Sequence, residues 1–252
     1  MIEHIDATKV LFLDIETVSS APTFAAMDEV MQDLWKYKAK SVLRRYNGEE
    51  ITDEEYATSY LDNAGIYAEF GKIVCISVGV VYRDKESKSL QLRLKSYADR
   101  DEKVLLEGFA ELLRQYYDNP SRFFLCGHNI KEFDVPYICR RMLVNGMTFP
   151  RMLDIAGKKP WETAHLLDTM ELWKFGDRKA YTSLKLLAGL LGFPSPKDDI
   201  DGSMVGRVFW EEDDLERIAH YCEKDVLATT QLFLRYQLKP LLSEDQVHHV
   251  GA

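Results

Sequence analysis

The sequence predicts an α/β fold, a mixed β-sheet with helices on both faces, and two observations carry that expectation. Apolar runs without helical spacing come first: Lys9 to Glu16, Lys72 to Tyr82 and Leu90 to Tyr97 read as strands. Segments of helical period then alternate with short apolar runs, as they do where helices cross between strands of one sheet.

Lys9-Val10-Leu11-Phe12-Leu13-Asp14-Ile15-Glu16 is apolar nearly throughout, as a strand buried on both faces must be, and it runs into two acids. Residues 72–82 and 90–97 flank the polar stretch Arg83 to Ser89, which predicts a hairpin. From Asp101 to Tyr117 the positions Leu105, Phe109, Leu112 and Tyr116 recur at helical spacing, and Asn119-Pro120 ends that helix. Phe123 to Cys126 is a short buried strand, and Asp134 to Leu143 resumes helical spacing through Ile138 and Met142. His165 to Asp168 reads as a last strand, Thr182 to Leu191 as a helix stopped by Gly192 and Pro194, and Asp213 to Tyr236 as a long helix with an acidic first turn. The polar stretch 19–70, with helical periodicity from Phe24 to Leu43 and near Tyr56, reads as a helical insertion in one domain spanning 1–242. Residues 243–252 are expected to form a flexible tail.

At 252 residues and 46% hydrophobic, the chain can bury one substantial core. Cys75, Cys126, Cys139 and Cys222 lie singly in apolar or amphipathic segments, without the close pairing of zinc sites or disulfide frameworks, and are expected as reduced core residues. Met1 to Asp6 lacks the pattern of a secretory signal and no apolar run could span a bilayer, so the expectation is a cytoplasmic protein without a membrane partner. The net charge of -9 argues against tight non-specific duplex binding. It is compatible with an acidic site that bound cations neutralise.

Asp14 and Glu16 are two apart on a strand and so project from one face. Like charges held that close cannot both stay ionised cheaply, and a divalent cation is the common remedy. Asp134 follows a buried strand at the start of a helix, where it could equally be an N-cap. Tyr221 and Asp225 are four apart in the long helix, and an aspartate beside Val226, Leu227 and Ala228 needs a partner. Taken singly, each has an ordinary alternative in a solvated strand end, a helix cap or a solvated helix face.

Together and in this order, Leu13-Asp14-Ile15-Glu16-Thr17, His128-Asn129 through Phe133-Asp134, and Tyr221 through Asp225 resemble the three motifs of the DEDD superfamily of 3′-to-5′ exonucleases, in its tyrosine branch. The chain is most similar to the predicted exonucleases related to the proofreading domain of family-B DNA polymerases. Gly71 to Ser77, Ser183 to Ala188 and Pro196 to Gly202 also resemble family segments. The resemblance implies a ribonuclease H-like fold and two divalent cations, Mg2+ or Mn2+, held by Asp14, Glu16, Asp134 and Asp225. It also implies that Tyr221 orients the attacking water while Thr17, Asn129 and Phe133 line a pocket for the terminal nucleotide. The implied substrate is the 3′ end of single-stranded DNA, released as nucleoside monophosphates. RNA is the alternative substrate, and a non-catalytic nucleic-acid-binding module the alternative class.

His128, His165 and His220 are left outside the ligand shell, because hard cations prefer oxygen. His220 stands five before Asp225, as the histidine branch of the superfamily would have it. On a continuous helix five residues leave side chains about 140° apart, whereas four leave Tyr221 and Asp225 about 40° apart. Finally, Trp35 to Tyr46 interleaves basic and aromatic residues with no acid among them, a composition suited to guiding a single strand.

Overall fold

A computed structural model describes residues 2–45, 50–177, 181–194 and 200–251. Tyr46 of the basic and aromatic stretch, and residues 196–199 of the Pro196 to Gly202 segment, lie outside the described residues. The central strand is Val10–Ser19 (β1), buried along nearly its whole length because helices cover both of its faces. Next come helices Glu29–Val42 (α1) and Asp53–Asn63 (α2), then the hairpin Gly71–Arg83 (β2) and Leu90–Ala98 (β3), then helix Glu102–Tyr116 (α3). Strand Phe124–Gly127 (β4), helix Asp134–Val144 (α4), strand Leu166–Asp168 (β5) and helices Thr169–Lys174 (α5) and Leu184–Leu191 (α6) follow. A short helix Val205–Arg207 (α7), the long helix Leu215–Tyr236 (α8) and strand Val247–His249 (β6) complete the order.

The six strands form one mixed sheet in the order β5-β4-β1-β2-β3-β6. β1 pairs antiparallel with β2 and parallel with β4, while β5 and β6 extend the two edges in parallel. Strand alternation divides β1 between two layers. Leu11, Leu13 and Ile15 pack with Leu106 and Phe109 of α3 and Ile138 of α4. Val10 and Phe12 pack with Val226 and Phe233 of α8, the Phe12 and Phe233 rings meeting edge-on at 5.3 Å. Asp14 and Glu16 continue this second set, so they emerge under α8. The fold is the expected α/β arrangement of a mixed sheet flanked by helices.

The stretch 19–70 forms two helices, each with an N-cap written in its sequence: Asp28 accepts from the Met31 amide, and Thr52 and Glu55 make a reciprocal capping box. They enclose a separate apolar cluster around Trp35, which is fully buried between Tyr60 and Phe70. Trp35 is therefore a core residue of this stretch and not part of a strand-guiding surface, although Tyr37 on the same helix is 78% exposed. Where a frayed tail was expected, Ser243 and Gln246 cap a short turn and Val247 to His249 pair with Leu92 to Leu94, adding an edge strand. Three residues are too few to show strand alternation in a sequence.

One buried ion pair fastens the layer opposite α8. The Glu102 carboxylate accepts from Arg141 Nε and Nη2 on α4, from Asn145 just past the end of that helix, and from the Ile73 amide on β2. Removing one partner of such a pair strands the other in the interior, at a cost of roughly 3 kcal/mol or more. Glu102→Ala is thus expected to lower the free energy of unfolding by about 3 kcal/mol, read from urea denaturation midpoints. A loss within the error of the method contradicts the role given to this pair.

Candidate active site

The site forms where β1 outruns its neighbour. β4 accompanies β1 only from Val10 to Phe12, then turns away after Gly127. A Cβ at Gly127 would lie 2.8 Å from the Ile130 side chain and 3.0 Å from the Leu13 carbonyl oxygen, so only glycine lets the chain leave β4 so near β1. Beyond it Asn129 takes a left-handed conformation with φ of 71°, which asparagine tolerates better than most residues. The buried Asp168 carboxylate at the end of β5 holds this turn, accepting from the amides of Asn129 at 3.1 Å and Lys131 at 3.2 Å. The turn delivers Asp134 as the first residue of α4, with its carboxylate accepting from its own amide and from the Ile15 amide. That Ile15 amide is available because β4 has already departed. Asp134 therefore faces the cleft, and the helix-cap alternative does not describe it.

From the other side, α8 is one unbroken helix through both Tyr221 and Asp225. Asp225 joins Asp14, Glu16 and Asp134 in lining a cleft of about 480 Å³, together with Asn129, Phe133, His128, Ile66 and Tyr181. Tyr221 bonds through its hydroxyl to Asp225. His220 faces the opposite side of the helix, 6.1 Å ring to ring from His249, beside a separate cavity of about 540 Å³. Of the sequence-derived candidates, Asp14, Glu16, Asp134, Asp225, Asn129 and Phe133 converge in the cleft with Tyr221 at its edge. Thr17 stands apart: a bulge in the β1–β2 pairing follows Glu16, and the Thr17 side chain bonds to the Tyr137 hydroxyl.

The electrostatics are those of a site built for cations. Burial, then Asp134, Asp225 and Glu16, push the Asp14 carboxyl well above its ordinary range, with only the Cys222 thiol opposing. Burial and Asp225 do the same to Glu16. Asp134 is raised to about 7, chiefly by burial, in spite of its two amide donors. Among the described residues, no lysine or arginine is among the principal influences on any of the three. A buried carboxylate needs compensation for its charge, and an oxygen-rich set of this kind fits hard divalent cations such as Mg2+ or Mn2+. Atoms of Asp14, Glu16 and Cys222 lie within 4.8 Å of one another, near enough to share an ion.

Two lining residues carry no signal of their own in the sequence, and a third, His128, stands in the second motif. Ile66, 55% exposed, lies near the end of the stretch 19–70, and Tyr181, 72% exposed, precedes α6. His128 ties the second of these segments down: its Nε2 donates to the Thr182 carbonyl at 2.9 Å, and its Nδ1 lies 2.9 Å from the Thr169 hydroxyl, which also reaches the Gly127 carbonyl at 3.2 Å. Burial lowers the His128 pKa. Both nitrogens are engaged, so His128 is a strut and not a ligand.

Residues 66–249 match a family described as predicted 3′-5′ exonucleases related to the exonuclease domain of PolB, a match over well more than half of the chain. The chain belongs to this family of 3′-5′ exonucleases. Asp14 and Glu16 precede the matched region of the exonuclease, and it is the fold that sets them beside Asp134 and Asp225. Among solved structures the exonuclease resembles the family B DNA polymerase from the hyperthermophilic archaeon Pyrobaculum calidifontis, with a TM-score of 0.52 and 14% identity. That similarity covers 91% of this chain and 24% of the polymerase, so it shows a fold shared with part of that polymerase. No curated protein matches the chain. Among the described residues, no helix is long and apolar enough to cross a membrane.

The raised carboxyls fix the sign of a pH effect. Between the ordinary carboxylate range and about 7, where Asp134 titrates, the folded protein holds more protons than the unfolded chain, so metal-free stability declines as pH rises. With chelator present, the melting temperature is expected to fall between pH 5 and pH 8, and Mn2+ to restore it. Asp14→Asn, which removes one repelling charge, should raise the metal-free melting temperature at pH 8 by on the order of 5 °C. A metal-free wild type that is more stable at pH 8 than at pH 5, with Asp14→Asn no more stable, contradicts this electrostatic account.

Proposed function

We propose that the protein is a two-metal-ion 3′-5′ exonuclease that removes nucleoside monophosphates from the 3′ end of single-stranded DNA. The observation that carries this reading is the convergence of Asp14, Glu16, Asp134 and Asp225 on one cleft, from a strand, a helix start and a helix middle, where burial and mutual repulsion raise the first three carboxyls. Asp14, central to the cluster, would be shared between two ions, with Glu16 and Asp225 completing one site and Asp134 helping to hold the other. Divalent cations bound there supply Lewis acidity, activating water and offsetting the charge that builds on the leaving oxygen.

The remaining groups bind and orient. Burial, Asp225, Glu16 and Asp14 together push the Tyr221 pKa far above its usual range, so the phenol keeps its proton at neutral pH, donates a hydrogen bond to Asp225 and positions water through its oxygen as an acceptor, not as a base. Asn129 Oδ1 is buried at the cleft with no hydrogen-bond partner, an acceptor suited to a sugar hydroxyl. Phe133 is half-buried against Tyr137 at 5.4 Å and offers the cleft an aromatic surface on which a base can stack. DNA is favoured over RNA by the likeness to the polymerase-related family.

Labelled single-stranded DNA and RNA of matched sequence, with Mg2+ or with chelator, test this directly. Metal-dependent shortening from the 3′ end of DNA is expected, slower on RNA. Asp14→Ala and Asp225→Ala should each fall below about a thousandth of the wild-type rate while remaining folded. Near-normal activity in either variant contradicts the two-metal assignment, and equal or faster cleavage of RNA contradicts the substrate.

Tyr221 and His220, four and five residues before Asp225, separate the tyrosine mechanism from a histidine one. Tyr221→Phe should lower kcat by about tenfold or more, whereas His220→Ala, on the far side of α8, should leave it near wild type. The reverse ranking would assign general-base catalysis to His220.

A further inference from the structure

A row of polar groups, buried at Ser77 and Glu223, crosses the interface between α8 and the sheet, where an apolar contact would be expected. Asp14, Ser77 and Ser96 are direct cross-strand partners on β1, β2 and β3, so all three side chains rise from the same face beneath α8. The Ser96 hydroxyl donates to Glu223 Oε1 at 2.9 Å, which leaves Ser77 to donate to the Ser96 oxygen at 2.8 Å. Glu223 Oε2 accepts from His249 Nδ1 at 2.5 Å, and His249 belongs to β6, in register with Leu94. On the other flank the Cys222 thiol reaches the Asp14 carbonyl at 3.4 Å and its Oδ2 at 3.6 Å. Consecutive residues of α8 thus fasten the helix on both sides, Cys222 to β1 and Glu223 to β3 and β6.

We propose that Glu223, through Ser96 and His249, is a positioning residue of the catalytic centre that fixes α8 at one height and rotation over the sheet. This inference rests on the exonuclease reading above. Tyr221 and Asp225 stand two residues to either side of Glu223 and point the other way, toward the cleft. A purely apolar contact, such as Val226 and Phe233 make with Phe12, tolerates small slides and rotations of the helix. Directed bonds near 2.9 Å do not. A shift of about 1 Å in the ligand carried by the helix is enough to depress catalysis strongly. Replacing a buried polar network with apolar side chains is often neutral or stabilising, so stability alone does not account for a carboxylate here. The network also explains why β6 docks on the edge of the sheet: it supplies the second donor to Glu223.

The test separates position from stability. Wild type, Glu223→Gln and Glu223→Leu would be compared for kcat and KM on single-stranded DNA, for Mn2+ affinity by calorimetry without DNA, and for melting temperature. Glu223→Leu is expected to lose about tenfold in kcat and in Mn2+ affinity, with KM within about twofold of wild type and a melting temperature equal or higher. Glu223→Gln, which still accepts from Ser96, is expected to recover to within about threefold. Should the leucine variant not fold, Ser96→Ala is read in its place with the same expectation. A folded variant with wild-type kcat and Mn2+ affinity, whatever its melting temperature, overturns the positioning role. A wild type that binds Mn2+ but cuts no DNA overturns the exonuclease reading instead, and the calorimetric comparison then decides the role of Glu223 by itself.

Discussion

The constraint on which the structure turns is the confinement of mutually repelling carboxylates in one cleft. Asp14 and Glu16 are raised well above their ordinary range by burial and by one another's neighbours, and Asp134 is carried to about 7. Nothing local would hold them together. They are held because β1 is clamped between two helical layers, because Gly127 and Asp168 steer the chain from β4 into α4, and because α8 is fastened across the sheet. The stability of those layers offsets the electrostatic cost, and metal binding would repay it.

That division of labour explains the placement of the other features. The Glu102–Arg141 pair is buried but fully satisfied, and it lies in the layer away from the cleft, where rigidity is wanted without charge imbalance. Asn129 Oδ1 is buried and unsatisfied, and it lies in the cleft. Within the same molecule the two buried polar groups contrast an internal brace with an atom left open to a ligand. The stretch 19–70 keeps its own apolar cluster around Trp35 and, among the described residues, presents Ile66 to the cleft, so it borders the site without placing a charge among the carboxylates.

Much of this was legible in the sequence because the decisive spacings are local. Asp14 and Glu16 share a face through the period of a strand, and Tyr221 and Asp225 through the period of a helix, whatever the tertiary fold. Asp134 was ambiguous from sequence because a helix-start aspartate can cap or can coordinate, and the choice depends on the distant Ile15 amide. Tyr181, Ile66 and His128 were not legible as a group, since only the return of three separate segments to one cleft unites them. Trp35 looked like a surface residue among lysines, yet the partners that bury it, Tyr60 and Phe70, lie well beyond its own helix. Val247 to His249 gave no strand pattern, and their pairing with β3 depends on where α8 releases the chain.

The central claim is that these four carboxylates form one two-cation centre. Anomalous diffraction from crystals grown with Mn2+ addresses it without reference to any substrate. Two peaks are expected in the cleft, roughly 3.5 to 4 Å apart, with Asp14 between them, Glu16 and Asp225 on one and Asp134 nearer the other. An absence of Mn2+ among the carboxylates at saturating metal, or a single ion bound without Asp14, would contradict the account.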